Sequence, residues 1–266
     1  MDSKLFRERL TANIAFMFAD LPFLDRIDAA ARAGFTKVEC HFPYDIPIDV
    51  LVDRLRSAGV AMTGLNTAPG DVSAGEWGLA GAPGRKVDFE RDFQDALTYA
   101  VAVGASVIHV MAAVLKDDDD KAVARETYVT NLRQAALKAA PFGITLLLEP
   151  LNSRDKPGYL VSRSDDIAAV IAEIGQPNVK LLFDVYHVQI MEGDLTKRLQ
   201  RHAPIIGHVQ LASVPDRTEP DTGEVALDHV LRTLDEIGYR GLIGLEYKPR
   251  GDTAAGLGWI DRVRLD

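Results

Sequence analysis

The segment Ile144-Thr-Leu-Leu-Leu-Glu149-Pro150 contains the repeating feature that decides the predicted fold. It is a short apolar run, long enough for one buried strand, that ends in a carboxylate and turns at a proline. A stretch with helical spacing, Asp165–Ile174, follows and stops at Gly175, and a second apolar run, Val179-Lys-Leu-Leu-Phe-Asp184, again ends in a carboxylate. This order of strand, helix and strand indicates a parallel pair joined by a crossover helix.

Runs of the same kind occur along the whole chain. Eight of them predict strands, at Thr11–Phe18, Thr36–His41, Val60–Asn66, Ser106–Met111, Ile144–Glu149, Lys180–Asp184, Ile205–Leu211 and Leu242–Glu246. Six intervening stretches predict helices, at Leu21–Ala33, Ile48–Ala58, Phe89–Val103, Ala122–Ala140, Asp165–Ile174 and Leu227–Ile237. Most of these helices stop at a glycine, which is the usual C-terminal signal.

Alternation of this kind is shared by doubly wound sheets and closed barrels of the α/β class. Two observations favour closure. Eight strand units fall within 266 residues, a length typical of such barrels, which commonly take about 200–250 residues or more. Polar residues also recur at the carboxyl ends of consecutive strands. We find no linker and no shift in composition that would separate a second domain. We therefore predict a single (β/α)8 barrel domain over residues 1–266.

Polar side chains end four successive strands in the second half of the chain, namely Glu149, Asp184, Gln210 and Glu246. In a closed barrel their strand ends share one rim, and strand alternation turns all four side chains inward. Three carboxylates in a partly dry cavity need protons or a cation to relieve their repulsion. Three carboxylates and an amide oxygen suit Mg²⁺ or Mn²⁺ better than Zn²⁺. We therefore predict a divalent metal site formed by these four residues.

The same residues have a simpler interpretation as ordinary polar ends of strands. Asp184 could cap the following helix, and the two glutamates could pair with Arg154 or Lys248. Four such residues in matching parity favour the interpretation as a site.

At these residues the sequence resembles the hydroxypyruvate isomerase family, within the xylose isomerase-like TIM barrels. The resemblance extends from about Thr11 to Trp259. Its motifs are Phe42-Pro-Tyr44, Asn66-Thr-Ala-Pro-Gly-Asp71, Leu148-Glu-Pro-Leu-Asn152, Phe183-Asp-Val-Tyr-His187, Gln189-Ile-Met-Glu-Gly-Asp194, Gly207-His-Val-Gln210, Arg217-Thr-Glu-Pro-Asp-Thr-Gly-Glu224 and Gly244-Leu-Glu-Tyr-Lys248.

The resemblance implies a role for each matching residue. The two glutamates of the family's acid–base pair match Glu149 and Glu246, and the divalent-metal ligands match Glu149, Asp184, Gln210 and Glu246. Gln210 stands where many relatives carry a histidine. A substrate-contacting histidine three residues after the aspartate matches His187.

The implied reaction is the isomerisation of hydroxypyruvate to tartronate semialdehyde through an enediolate. One carboxylate takes the carbon-bound proton and a carboxyl group returns it to the neighbouring carbon; which glutamate acts first is left open. Isomerisation of a four-carbon 2-oxo-tetronate is the alternative within the family, and a sugar epimerase is a more distant one.

A keto acid needs a cation for its own carboxylate. Arg217, on the loop after the strand that ends at Gln210, is the first candidate because its guanidinium can bind a carboxylate with two hydrogen bonds. Lys248, two residues past Glu246 and of the same parity, is the second.

The remaining histidines and two other residues are assigned from their positions. His41, His109 and Asn66 end earlier strands and could line the mouth or pack in the wall. His208 and Cys40 are expected in the core, and His202 on the surface of a helix.

Two long loops follow the third and fourth strands. The glycine-rich segment 66–84 carries Trp77 and is either a lid over the substrate or a long surface loop. The run Lys116-Asp-Asp-Asp-Asp-Lys121 is expected to be a solvated loop.

Composition limits the classes of partner. The formal net charge is −9, from 39 acidic and 30 basic residues, which disfavours a nucleic-acid partner. We therefore set aside the related endonuclease barrels, and the inward glutamates argue against a barrel that only binds. Cys40 is the only cysteine, and no apolar run is long enough to span a membrane. With no signal-type segment, we expect a cytoplasmic protein with a small hydroxy-keto acid as partner; a homo-oligomer is compatible with the sequence.

Overall fold

The computed structural model describes residues 3–264 and contains the predicted closed barrel. Eight parallel strands follow one another in chain order, and β8 pairs with β1 to close the ring. The strands are β1 Leu10–Asn13, β2 Lys37–Glu39, β3 Ala61–Asn66, β4 Val107–His109, β5 Thr145–Leu148, β6 Val179–Asp184, β7 Ile206–Leu211 and β8 Ile243–Leu245. All eight predicted strands are therefore confirmed.

Helices surround the barrel: the first precedes β1, the last follows β8, and the others lie between consecutive strands. They are α1 Ser3–Glu8, α2 Phe23–Arg32, α3 Ile48–Ala58, α4 Lys86–Val103, α5 Lys121–Ala139, α6 Ser164–Ile174, α7 Val185–Met191, α8 Leu195–His202, α9 Leu227–Glu236 and α10 Thr253–Gly256. Within residues 3–264, none of them combines the length and the apolar character that a membrane crossing requires.

The first strand is shorter than the predicted Thr11–Phe18 because the chain turns directly after Asn13. The carbonyl of Asn13 accepts hydrogen bonds from the amides of Phe16 (3.2 Å) and Met17 (2.9 Å). Phe18 has a φ of 57°, in the left-handed region. A backbone in this conformation cannot continue a strand, so the apolar residues after Asn13 form a loop at the rim.

Two helices between β6 and β7, α7 and α8, are absent from the predicted set. The break at Gly193-Asp194 divides the region into pieces too short for a clear helical period. The expectation for His202 was wrong: it ends α8 but is buried, with Nε2 3.3 Å from Oδ1 of Asp165 on α6. His202 lies three residues after the buried Leu199, and so on the face that α8 turns toward the fold.

The barrel interior leaves room below the rim for polar side chains. Gly244 of β8 lies against Glu39 and Gln210, and a Cβ atom at that position would be 2.5 Å from Oε1 of Glu39 and 2.8 Å from Cγ of Gln210. Glycine is therefore needed at the position before Leu245 and Glu246. Below this level Leu147 and Leu182 are buried in the interior, as their parity predicts.

Candidate active site

The four predicted strand-end residues lie together at the carboxyl rim of the barrel, and all four are buried. Glu149 and Glu246 face a cavity whose empty space, counted together with its open mouth, is about 420 Å³. His187 and Arg217 line the same cavity.

Arg217 is the central cation of this site. Its Nη2 donates hydrogen bonds to Oε1 of Glu246 at 2.5 Å and to Oδ2 of Asp184 at 3.3 Å. The rings of Phe16 and Tyr186 each lie 4.9 Å from the guanidinium carbon, within range of a cation–π contact. Its own φ of 55° is unusual for a residue other than glycine. The strained backbone and the stacked side chain hold the guanidinium against the two carboxylates.

The surroundings of the three acids give them different pKa values. Burial raises the pKa of Glu149 well above its ordinary value of 4.5, and the nearby charges of Glu246 and Asp184 raise it further. Burial also acts on Glu246, but Arg217 and nearby histidines outweigh burial and lower the pKa of Glu246 to about 2. For Asp184 burial outweighs Arg217 and raises the pKa to about 7. In the metal-free protein Glu246 is thus the carboxylate that is most firmly ionised.

Asp184 is both a helix cap and a residue of the site, the two roles that its position in the sequence allowed. Its Oδ1 accepts a hydrogen bond from the amide of Tyr186 at 2.8 Å and caps α7. Its Oδ2 lies 3.6 Å from Nε2 of His187 and receives the bond from Arg217. The cap fixes the carboxylate while the second oxygen remains directed toward the other site residues.

The tautomer of His187 follows from its neighbours. Oδ1 of Asn152 accepts hydrogen bonds from the amides of Arg154 and Asp155, so its Nδ2 faces Nδ1 of His187 at 2.7 Å. The backbone amide of Asn152 also donates to that Nδ1, at 3.0 Å. Nδ1 is therefore an acceptor, and Nε2 carries the proton in the neutral ring. Burial lowers the pKa of His187 well below 6.5, with Arg217 adding to the effect. The residue is a neutral donor that points toward Glu149 and Asp184.

A polar layer lies beneath the site, and two of its residues, Asn13 and Glu39, were not predicted from the sequence. Nε2 of Gln210 donates to Oε1 of Glu39 at 2.8 Å and to Oε2 of Glu246 at 2.6 Å. Asn13 also donates to Oε2 of Glu246, at 2.8 Å, and His208 lies 2.9 Å from the other oxygen of Glu39. His208 is thus the hydrogen-bonded core histidine that was predicted. The layer fixes the amide of Gln210 with its oxygen free.

The donor atoms of the site fit an oxygen-preferring cation. Glu149, Asp184 and His187 each offer an atom within 4.8 Å of the others, although the proton on Nε2 of His187 excludes that nitrogen as a ligand in this tautomer. Oε1 of Glu149 and Oε1 of Gln210 are buried without a hydrogen-bond partner within residues 3–264. Buried oxygens left unpaired are unfavourable, and a hard divalent ion is the kind of group that satisfies them. The ligand set with Glu246 stays a prediction.

Lys248 does not reach the cavity. It is exposed and is not among the residues that line the mouth. Its backbone amide donates to the carbonyl of Arg217 at 2.7 Å. Strand alternation ends with β8 at Leu245, so the parity that suggested an inward lysine does not hold two residues past Glu246.

The three rim residues His41, His109 and Asn66 all line the cavity. Nδ1 of His109 lies 3.4 Å from Oε2 of Glu149, and burial lowers the pKa of His109 to about 3. Nε2 of His41 lies 3.6 Å from Oε2 of Glu246. Each glutamate therefore has a histidine beside it as well as the other site residues.

The glycine-rich segment 66–84 covers part of the mouth. Trp77 lines the cavity, and its ring meets the ring of Phe42 at 84° with centroids 6.0 Å apart. The second half of the segment is fixed: Leu79 and Ala80 are buried, and Gly78 (φ 97°) lies so close to Met111 that a Cβ atom would be 2.7 Å from its carbonyl. The lid movement itself stays a prediction.

The acidic run after β4 is mostly exposed, as expected for a solvated loop. Asp120 at its end stabilises the start of the next helix, because its carboxylate accepts hydrogen bonds from the amides of Ala122 and Val123 and caps α5.

Sequence reasoning missed several residues of the wall. Phe16, Met111, Leu151, Asp155 and Lys156 also line the cavity. Asp155 and Lys156 could have been found from the sequence. They are charged residues in the Pro- and Gly-containing loop after β5, and such loops form the catalytic face of (β/α)8 barrels.

Comparisons with known proteins agree with the barrel fold. A family model described as xylose isomerase-like TIM barrel matches residues 27–263. The chain is 47% identical to a 2-oxo-tetronate isomerase of Cupriavidus necator, over 95% of this chain and 97% of that protein. It is 38% identical to a hydroxypyruvate isomerase of Escherichia coli K12, over 96% of this chain and 99% of that protein.

A solved structure from Brucella melitensis, described as an AP endonuclease of family 2, superposes with a TM-score of 0.93. The two sequences are 42% identical, and the match covers 96% of this chain and 99% of the other. The barrel and the order of its elements are therefore shared along nearly the full length.

Proposed function

The chain is an isomerase of the xylose isomerase-like TIM barrel family, and we propose that it moves the carbonyl group of a short 2-oxo acid between C2 and C3. The observation that carries the proposal is the pair Glu149 and Glu246, two buried glutamates that line one cavity. Hydroxypyruvate and a four-carbon 2-oxo-tetronate are the candidate substrates, since the chain is similar to relatives named for each. Both share the reacting carbons: a hydroxyl-bearing C3 next to a C2 carbonyl.

The reaction needs one base and one acid at adjacent carbons. In the proposed mechanism one glutamate removes the proton from C3 and leaves an enediolate, in which the electrons of the broken C–H bond form the C2–C3 double bond. The other glutamate then delivers a proton to C2. O3 loses its hydroxyl proton as the new carbonyl forms, O2 takes up a proton to become the new hydroxyl, and proton exchange with solvent returns both glutamates to their starting states. Glu149 and Glu246 are suited to these roles because both face the cavity and their environments shift their pKa values in opposite directions.

The developing charge on O2 and O3 requires donors close to the reacting atoms. Nε2–H of His187 is a neutral donor held in place by Asn152, and the guanidinium of Arg217 lines the same cavity. Donors that are already oriented before reaction stabilise an enediolate without reorganisation. We assign His187 to this part of the site, with Arg217 beside it as the cation that balances Glu246 and Asp184.

Glu149, Asp184, Gln210 and Glu246 would hold a divalent cation, Mg²⁺ or Mn²⁺. When bound, such an ion supplies positive charge for the enediolate oxygens.

The barrel group also includes endonucleases, and the Brucella melitensis structure is described as one. We favour the isomerase because a net charge of −9 opposes binding to a phosphate backbone. The two buried glutamates likewise favour proton transfer over mere binding.

The proposal is tested by following hydroxypyruvate and 2-oxo-tetronate by ¹H NMR in D₂O with purified protein. We expect isomerisation of one or both acids, with solvent deuterium appearing at C2 of the product and the C3 proton lost. Protein that neither isomerises these acids nor exchanges their C3 protons, with and without Mg²⁺ or Mn²⁺, would refute the proposed function. The relative kcat/KM for the two acids identifies the preferred chain length.

The metal assignment has its own test, which does not depend on turnover. Chelator-treated protein should bind Mn²⁺ as followed by EPR, and saturation to about 100 times Kd should stabilise the fold by about 2.7 kcal/mol. Asp184→Asn should weaken this binding strongly, whereas Asp117→Asn, in the exposed acidic run, should leave it unchanged. Equal binding by both variants would place the ion elsewhere.

A further inference from the structure

We propose that Lys156 receives the carboxylate group of the substrate and thereby selects 2-oxo acids over neutral ketoses. This inference rests on the proposed function, and it names the anchor that a keto-acid substrate requires. Neither Arg217 nor Lys248, the two cations suggested by the sequence, is as well placed for that role.

Arg217 is already engaged with the protein's own carboxylates. Its Nη2 bonds to Glu246 and Asp184, and its Nη1 lies 3.8 Å from Oδ2 of Asp155. Three acids therefore share one guanidinium, and a substrate carboxylate placed there would add a fourth negative charge. Like charges at close range oppose one another strongly in a buried site.

Lys156 is in the opposite situation. It lies on the loop after β5 and lines the same cavity as Glu149 and Glu246. Within the described part of the chain no carboxylate lies within 4.0 Å of its Nζ. The nearest acid in sequence, Asp155, directs its oxygens to Arg217, Tyr186 and Asn152 instead.

The ammonium group of Lys156 is held by an aromatic ring. Nζ lies 3.3 Å from the centroid of Trp77, and Trp77 is itself supported by the edge contact with Phe42. A cation–π contact orients an ammonium without using all of its N–H donors, so the N–H groups turned away from the ring remain available. Trp77 and Lys156 therefore form a platform that presents a positive charge at the mouth.

The depth of the two regions fixes the orientation of a bound acid. Glu149 and Glu246 are buried at the bottom, whereas Lys156 is only partly buried at the mouth. Burial lowers the pKa of Lys156, an effect that Asp155 opposes, and a bound carboxylate would favour the charged ammonium further. A substrate held in this way directs C2 and C3 toward the glutamates and keeps its C1 carboxylate at the rim.

The test compares Lys156→Met, Lys156→Arg and Lys116→Met. Met keeps the length of the side chain but removes the charge, and Lys116 is an exposed lysine on the neighbouring loop. For the preferred 2-oxo acid, Lys156→Met should raise KM by roughly 10- to 100-fold, as expected for loss of a charge-assisted hydrogen bond. The kcat should change by less than about threefold, because the reacting atoms are not touched. Lys156→Arg should restore most of the affinity, and Lys116→Met should match the wild-type protein.

A neutral analogue separates recognition of charge from the shape of the loop. Dihydroxyacetone replaces the carboxylate of hydroxypyruvate with a hydroxymethyl group, and its inhibition constant should be the same for the wild-type protein and Lys156→Met. Equal weakening of acid and neutral ligand, an unchanged KM for the acid, or a loss seen in Lys248→Met in place of Lys156→Met would each overturn the assignment. Wild-type protein without activity on any 2-oxo acid would instead refute the proposed function, and the role of Lys156 with it.

Discussion

Glu149→Gln and Glu246→Gln should each remove most of the isomerase activity while they shift the free energy of unfolding in opposite directions. Glutamine has the size of glutamate but cannot take or return a proton at neutral pH. A positioned acid or base typically contributes about 10²- to 10⁴-fold to the rate, so we expect a loss of kcat of that order for each variant. NMR exchange in D₂O measures the loss, and Glu126→Gln, on the outer helix α5, is the matched control.

The stability of Glu149→Gln follows from the raised pKa of Glu149 in the metal-free fold. A carboxyl group whose pKa is raised on folding favours the folded state fully below about pH 4.5, and this contribution is lost as the pH rises through the folded pKa. The amide has no such titration. Glu149→Gln should therefore be more stable than the wild-type protein at pH 8, and the difference should shrink toward pH 5.

The stability of Glu246→Gln has the opposite sign. Arg217 and nearby histidines outweigh burial and lower the pKa of Glu246 to about 2, so this carboxylate stabilises the fold above about pH 4.5 and the contribution is lost as the pH falls toward about 2. The amide leaves Arg217 without its nearest counter-ion, and loss of one partner of a buried pair costs about 3–5 kcal/mol. Urea unfolding of chelator-treated protein at pH 5 and pH 8 measures both effects. If the free energy of unfolding changes with the same sign in both variants, the pKa values of Glu149 and Glu246 are not shifted in opposite directions.

The strand-end residues could be predicted because parallel strands and strict alternation leave little freedom. Once the apolar runs before Glu149, Asp184, Gln210 and Glu246 are assigned to neighbouring strands, their common rim and inward direction follow. The prediction that Lys248 points inward was wrong, because side-chain alternation no longer holds after the strand has ended at Leu245. Loops beyond the strands follow turn geometry, which parity does not describe.

Contacts between residues distant in sequence could not be predicted from the hydrophobic pattern either. The pairing of Lys156 with the ring of Trp77 and of Glu39 with Gln210 joins residues from different βα units. Nothing in the local sequence of either partner specifies the other. Likewise, Arg217, which bonds to two carboxylates, has a left-handed backbone, and a non-glycine residue gives no sequence signal for that conformation.

Arg217→Met is expected to lower the free energy of unfolding by about 3–5 kcal/mol at pH 8, because it leaves the buried carboxylates of Asp184 and Glu246 without their cation. Methionine still fills part of the space beside Phe16 and Tyr186, so most of the loss should be electrostatic.

The pH dependence separates charge from packing in this variant. Arg217 opposes burial at both acids, and without it their pKa values rise in the folded state. Wild-type Glu246 is already ionised and stabilises the fold at pH 5, so a penalty of Arg217→Met should be present there. Acids with raised pKa values lose stability as the pH rises, so the penalty should be larger at pH 8. Arg217→Lys, which keeps the charge without the planar fork, should show a smaller penalty. A penalty of equal size at both pH values in urea unfolding would assign the role of Arg217 to its stacking on Phe16 and Tyr186, and the carboxylates would then be balanced by another group.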